Sequence, residues 1–240
     1  MRRESNFKLT DIFDMASPPD ERCLKETQFF DVGHPALIQY AGEKTAYCHT
    51  EVEKAVALYY AVRDEVLYDP YRCLLTSEQF CASHVLSSHR GFCISKALLL
   101  STLARCVGIP SLVGFADVLN HLATPKMKKL IKNELYFHGY AVLYLNGKWL
   151  KVSPAFNLTM CEKFESRPLE FDGKSDALFH EYDMRSRRHM EYLTDYGAVT
   201  DLPYQQVIDE LWFRCPEMMD FLREKQLTQS FAEELQTLDQ

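Results

Sequence analysis

The sequence predicts an α+β domain, and three observations carry that prediction. Amphipathic helical patterns come first, at 50–69 and 93–107. A hairpin signal follows at 136–153, with Asn146-Gly147 between two alternating runs. Helical spacing then returns after Leu202-Pro203. Helices first, then mostly antiparallel strands, then helices is the order of segregated elements rather than of repeating βαβ units. The chain has 240 residues, enough for one domain, or for one domain with an appendage. We divide it into a loosely attached N-terminal leader (1–25), a main domain (26–205) and a C-terminal helical extension (206–240).

The elements follow in order. Ser17-Pro18-Pro19-Asp20 is a turn signal inside the leader. Thr50-x-x-Glu53 is a capping box, and Val52, Val56, Tyr59, Val62 and Val66 recur behind it at helical spacing. That helix should stop near Asp69, because Pro70 disfavours helical geometry in the residue before it. A second box, Thr76-x-x-Gln79, should open a short helix toward Val85, broken by Ser87–Gly91. From Cys93 to Val107 the chain is apolar almost all round, so this helix should be central and buried. Gly108-Ile109-Pro110 should end it. Ser111–Val118 reads as a strand. Tyr136–Leu145, an Asn-Gly type I′ turn and Lys148–Ser153 read as a hairpin. Asp172-Gly173 is a turn, Gln205–Phe213 a helix, and Leu227, Phe231, Leu235 and Leu238 mark a tail helix.

Composition narrows the function classes. Net charge is −7, which disfavours a polyanionic partner such as nucleic acid. The local exception is Lys126, Lys128, Lys129 and Lys132, read as a solvated face or as a patch for an acidic substrate. The longest apolar run, Ala55–Val62, has eight residues, against about 20 for a membrane span. The first residues lack an apolar signal core. A cytoplasmic location and no membrane partner are therefore expected. Eight scattered cysteines without a C-x-x-C pair argue against disulfide stapling and against zinc. No metal or cofactor is expected.

Cys93 stands apart from the other thiols because it opens the central helix directly after Gly91-Phe92. A helix N-terminus carries partial positive charge and unpaired N–H groups, and both favour the thiolate. A thiol nucleophile needs a base, and His138 lies in a strand whose register the Asn-Gly turn fixes. That register sets Tyr144 opposite Trp149 and Tyr140 opposite Ser153. Ser153 is then a diagonal, same-face neighbour of His138. Cys93, His138 and Ser153 are the candidate catalytic residues.

Gly91-Phe92-Cys93, Leu103-Ala104-Arg105 and Gly108-Ile109-Pro110 resemble the nucleophile helix of the transglutaminase-like superfamily. His138-Gly139-Tyr140-Ala141 and Tyr144–Trp149 resemble its His and Trp strands. The segments 116–121, 154–157, 168–173, 188–192 and 201–203 are similar to strings of a bacterial branch. The resemblance spans roughly 30–205. It implies a papain-like fold, with the nucleophile helix packed on an antiparallel sheet, and a Cys–His mechanism. One position departs from it: the superfamily usually has Asp where this chain has Ser153. A serine orients an imidazole without offsetting its charge, and loss of such a carboxylate costs about 10⁴ in rate in serine proteases. Asn157, Asp172 and Asp176 are the other candidates for that role.

The resemblance implies acyl transfer from an amide or ester through a Cys93 thioester. Water as acceptor makes the protein a protease or amidase, and an amine makes it a transglutaminase-like enzyme. The substrate would be a peptide, a protein or a small-molecule amide. The alternative is a catalytically silent binding domain that keeps the fold. Asp117, Asn120, His121, His189 and Glu191 are expected in polar loops that could rim the cleft.

Overall fold

In the computed structural model, residues 7–72, 75–120, 124–131, 135–178 and 190–225 are described. The organising element is α4 (Cys93–Cys106), preceded by α1 (Pro35–Lys44), α2 (Glu51–Glu65) and α3 (Ala82–Ser88). Every α4 residue from Cys93 to Arg105 is buried, as its nearly continuous apolar sequence requires. Its end is a Schellman closure. Ile109 N–H donates to the Ala104 carbonyl at 2.9 Å and Gly108 N–H to the Arg105 carbonyl at 3.0 Å. Gly108 has φ +83°, a conformation that glycine adopts without Cβ strain.

The main sheet contains β3 (Ser111–Asn120), β4 (Leu135–Leu145), β5 (Lys148–Val152) and β6 (Met190–Val199). Its order is β5-β4-β3-β6, and every neighbouring pair is antiparallel. The expected helix-on-antiparallel-sheet α+β architecture is therefore present. A separate two-residue parallel pair joins β1 (Leu67–Tyr68) to β2 (Arg90–Gly91), just before α4. The described chain is completed by α5 (Pro125–Ile131), α6 (Leu158–Lys163), α7 (Tyr204–Arg214) and α8 (Pro216–Lys225). No helix among the described residues is long and apolar enough to cross a membrane.

Local signals place many of the elements. Thr50 Oγ1 accepts from Glu53 N–H at 3.2 Å and Glu53 reaches back to Thr50 N–H at 3.1 Å, closing the capping box of α2. Asn146 and Gly147 have φ +49° and +79°, as a type I′ turn demands. The register is the expected one, with Leu145 opposite Lys148 and Tyr144 opposite Trp149.

Four expectations need correction. The first helix stops at Glu65 rather than near Asp69, because Leu67 and Tyr68 are drawn into pairing with β2. The Thr76 box yields only a 3-10 turn at Glu78–Phe80, and the helix starts at Ala82. The segment anticipated as a loose leader is held down along 7–25: Phe13 N–H donates to the Ala198 carbonyl, and Leu9, Phe13 and Cys23 are buried. Asp117 and Asn120 lie in β3 and Glu191 in β6, not in loops. His121, His189, Lys132 and the tail helix at 227–238 lie outside the described residues.

Candidate functional site

Cys93 is the first residue of α4, and its thiol stands against the edge of β4. The β4–β5 ladder ends at Ala141 opposite Val152, so β4 runs on past the end of β5 through Phe137–Gly139. Cys93 Sγ contacts the Phe137 carbonyl at 4.0 Å. This approach requires Gly139, since a Cβ there would lie 2.7 Å from Ile94 Cα. The strand carrying His138 thus presses directly on the first turn of α4.

His138 is 4% exposed, and its Nε2 lies 3.2 Å from Ser153 Oγ. The pair that turn register and strand alternation make neighbours is in hydrogen-bond contact. Cys93 and His138 are not hydrogen-bonded to each other in this structure. The other three candidates for orienting His138 have their polar atoms elsewhere. Asn157 accepts from Tyr68 N–H and donates to Thr159 Oγ1. Asp172 caps the N–H groups of Lys174 and Ser175. Asp176 accepts from Lys151 N–H.

The backbone around Ser153 is fixed from three sides. Ser153 N–H donates to the Ala177 carbonyl at 2.7 Å, and Tyr59 Oη donates to the Ser153 carbonyl at 3.3 Å. Lys96, one turn beyond Cys93 and 0% exposed, donates from Nζ to the Ala155 carbonyl at 2.8 Å and to the Arg63 carbonyl at 2.9 Å. Burial lowers the Lys96 ammonium to about 7. A neutral amine still supplies both of these donors.

Electrostatics at the thiol reverse the helix-start expectation. Burial pushes Cys93 up to about 11, while the backbone N–H groups of Gly139, Ile94 and Cys93 offset part of that rise. Burial alone pushes His138 down to about 4. Desolvation outweighs the helix dipole here because no opposite charge accompanies either group. The resting pair is therefore neutral thiol and neutral imidazole, rather than thiolate and imidazolium.

Sequence reading misses the groups that β6 brings in. Tyr192 packs edge-on to the His138 ring, with centroids 6.2 Å apart. Tyr140 Oη donates to Asp195 at 2.6 Å, and Lys151 pairs with the same carboxylate. The signal that could have found them is the β-prone run from Tyr192 to Val199, obscured by its polar residues.

On the other side of Cys93 lies a mostly apolar cavity of about 580 Å³, counting its open mouth. Its walls come from the start of α4, the first half of β4, and α5, α7 and α8. Arg214 is the cation in the wall, and it is already engaged by Asp117, Glu210 and Tyr196 Oη. The expected lysine patch divides. Lys126 sits 4.3 Å from the Tyr71 ring centroid, while Lys128 and Lys129 lie on the outer side of α5. Among the described residues every cysteine is a free thiol, and no cluster of side chains could hold a metal.

Residues 38–154 match the family described as the transglutaminase-like superfamily core. No curated protein matches the chain. Among solved structures, the chain is similar to a candidate cysteine protease from Cytophaga hutchinsonii, at 17% identity and TM-score 0.44, over 55% of this chain and 40% of that one. It is similar to a candidate protease from Parabacteroides distasonis, at 18% identity and TM-score 0.35, over 57% of this chain and 28% of that one. It is also similar to a structure named a TGase, at 18% identity and TM-score 0.35, over 55% and 32% of the two chains. The chain spans less than half the length of each. The stretch matched by the transglutaminase-like superfamily model, residues 38–154, is the one that holds Cys93, His138 and Ser153.

Proposed function

We propose that the protein is an acyl-transfer enzyme in which Cys93 is the nucleophile, His138 the base and Ser153 the orienting residue. The observation that carries this reading is the juxtaposition at the start of α4: a thiol against the backbone of the His138 strand, and His138 Nε2 at 3.2 Å from Ser153 Oγ. With Nε2–H donated to Ser153, Nδ1 keeps its lone pair for the thiol proton.

The steps follow from a neutral pair. On substrate binding the thiol leaves the Phe137 carbonyl and gives its proton to Nδ1 as Sγ bonds to the acyl carbon. The carbonyl oxygen becomes an oxyanion facing the first-turn N–H groups of α4, Cys93 N–H among them. Collapse breaks the bond to the leaving amine or alcohol, which takes the proton from His138. Water or an amine then attacks the thioester and loses its proton to His138. The S–C bond breaks, and the sulfur recovers that proton.

The test is incubation with an activated ester and mass mapping of the acyl group. Acylation at Cys93, abolished in Cys93→Ala, is the expected result. Acylation at another residue, or none at Cys93, removes this reading and favours a silent binding domain.

A further inference from the structure

The cavity beside Cys93 bears on the substrate class of that same site, and its assignment rests on the acyl-transfer reading. We propose that this cavity receives the acyl side of the substrate and selects an uncharged, apolar acyl group of several carbons.

Three observations support the assignment. First, the nucleophile is part of the wall: Cys93 and Phe137, whose carbonyl the thiol touches, both line the cavity. A group seated there is attached to the carbonyl that Sγ attacks. Second, the facing walls are apolar, with Ile131 from α5, Leu211 from α7 and Met218 and Met219 from α8. All four are buried within the main core cluster, so the cavity is an indentation of the core rather than a surface groove. Unbranched methionine side chains adjust to chains of differing shape. Third, the wall cation is spent. Arg214 is held by two carboxylates, Asp117 and Glu210, and by Tyr196 Oη. It has no surplus charge for an acidic substrate, and a carboxylate entering here would meet two existing anions.

The test uses p-nitrophenyl acetate, hexanoate and monoglutarate on the full chain, with Cys93 acylation followed by mass. In each, the Sγ–C bond forms, the C–O bond to p-nitrophenolate breaks, and the thiol proton leaves through His138. One buried methylene is worth about fourfold. Hexanoyl transfer should therefore exceed acetyl transfer by about tenfold or more, with glutaryl slowest. In Leu211→Gln and, independently, in Ile131→Gln, the hexanoyl-to-acetyl ratio should fall toward one. The two substitutions sit on different helices, so misfolding of either leaves the other, and the wild-type ratio needs neither.

A second arm separates the pocket from the chemistry. Hexanamide, but not acetamide, should bind the Cys93→Ala protein in ligand-observed NMR, and the added Leu211→Gln should abolish the signal. Cys93 acylation with a ratio near one, or with glutaryl preferred, overturns the pocket and leaves acyl transfer standing. Absence of Cys93 acylation together with hexanamide binding overturns acyl transfer and keeps the pocket. Absence of both overturns both.

Discussion

The C-terminal end of α4 closes on itself, with Gly108 in the left-handed region and the carbonyls of Ala104 and Arg105 both satisfied. Arg105 adds a side-chain anchor. It donates to the carbonyls of Lys25, Ser111 and Thr200 and lies 3.7 Å from the Phe30 ring centroid. At the N-terminal end, Phe92 N–H is closed by Ser95 Oγ, but no acidic residue sits in the first turn. A thiol occupies the place where a capping carboxylate would be favoured. One end of the helix spends its polar groups on joining the leader, β3 and the chain after β6. The other turns its first N–H groups toward the thiol of Cys93, the proposed nucleophile. On the proposed function, stability and chemistry are thus separated along fourteen residues of one helix.

Exchanging the two ends by mutation should break this contrast if it is false. Arg105→Met takes the donor from one buried carbonyl, that of Ser111, and from the partly buried carbonyls of Lys25 and Thr200, and a buried bond left unmade costs about 1–3 kcal/mol. We expect a loss of about 3 kcal/mol or more in urea unfolding. Cys93→Ala should cost about 1 kcal/mol, the ordinary scale of a single substitution, while removing acylation entirely. A larger stability loss from Cys93→Ala than from Arg105→Met would mean that the thiol is a packing residue.

The buried imidazole supplies a second measurement. Burial pushes the His138 imidazole down to about 4, against 6.5 for an unperturbed side chain. Between those values the unfolded chain binds the extra proton, so stability rises with pH. It is full above about pH 6.5 and declines as pH falls toward 4, by about 3 kcal/mol from this group. His138→Gln should flatten that part of the profile in unfolding curves taken from pH 4 to 7. An unchanged slope would show that His138 is solvated.

The smallest effect concerns Ser153. Ser153→Ala should slow turnover by about tenfold, the scale of one neutral orienting hydrogen bond. Ser153→Asp should raise the His138 pKa, and turnover should hold or rise. NMR titration of the ring in both variants checks the cause. Wild-type rates in both variants would show that ring orientation does not depend on this position.

The part of the site legible in the sequence was the part fixed by local rules. A capping box sets the start of α2, Gly108 sets the end of α4, and Asn146-Gly147 sets the β4–β5 register. Because side chains alternate strictly along a strand, that register alone made Ser153 the diagonal neighbour of His138. Each signal acts over a few residues, where sterics and hydrogen bonding leave few alternatives.

Tertiary structure decided whatever depends on distant partners. The position of Asn157 in the sequence left it as open a candidate as Ser153, until Tyr68 N–H and Thr159 claimed its amide. The dipole argument at Cys93 was sound for an exposed helix start, but burial by β4 reversed its sign. Strand β6 pairs with β3 across some eighty residues of chain, and α7 and α8 return later still to wall the cavity. Desolvation and pocket shape are sums over every neighbouring segment, so residue pattern alone cannot specify them. What the sequence determined about this protein is the β4–β5 register, which puts Ser153 on the same sheet face as His138. What folding alone decided is that the thiol and the imidazole are both buried, that burial disfavours their charged forms, and that an apolar space opens next to Cys93.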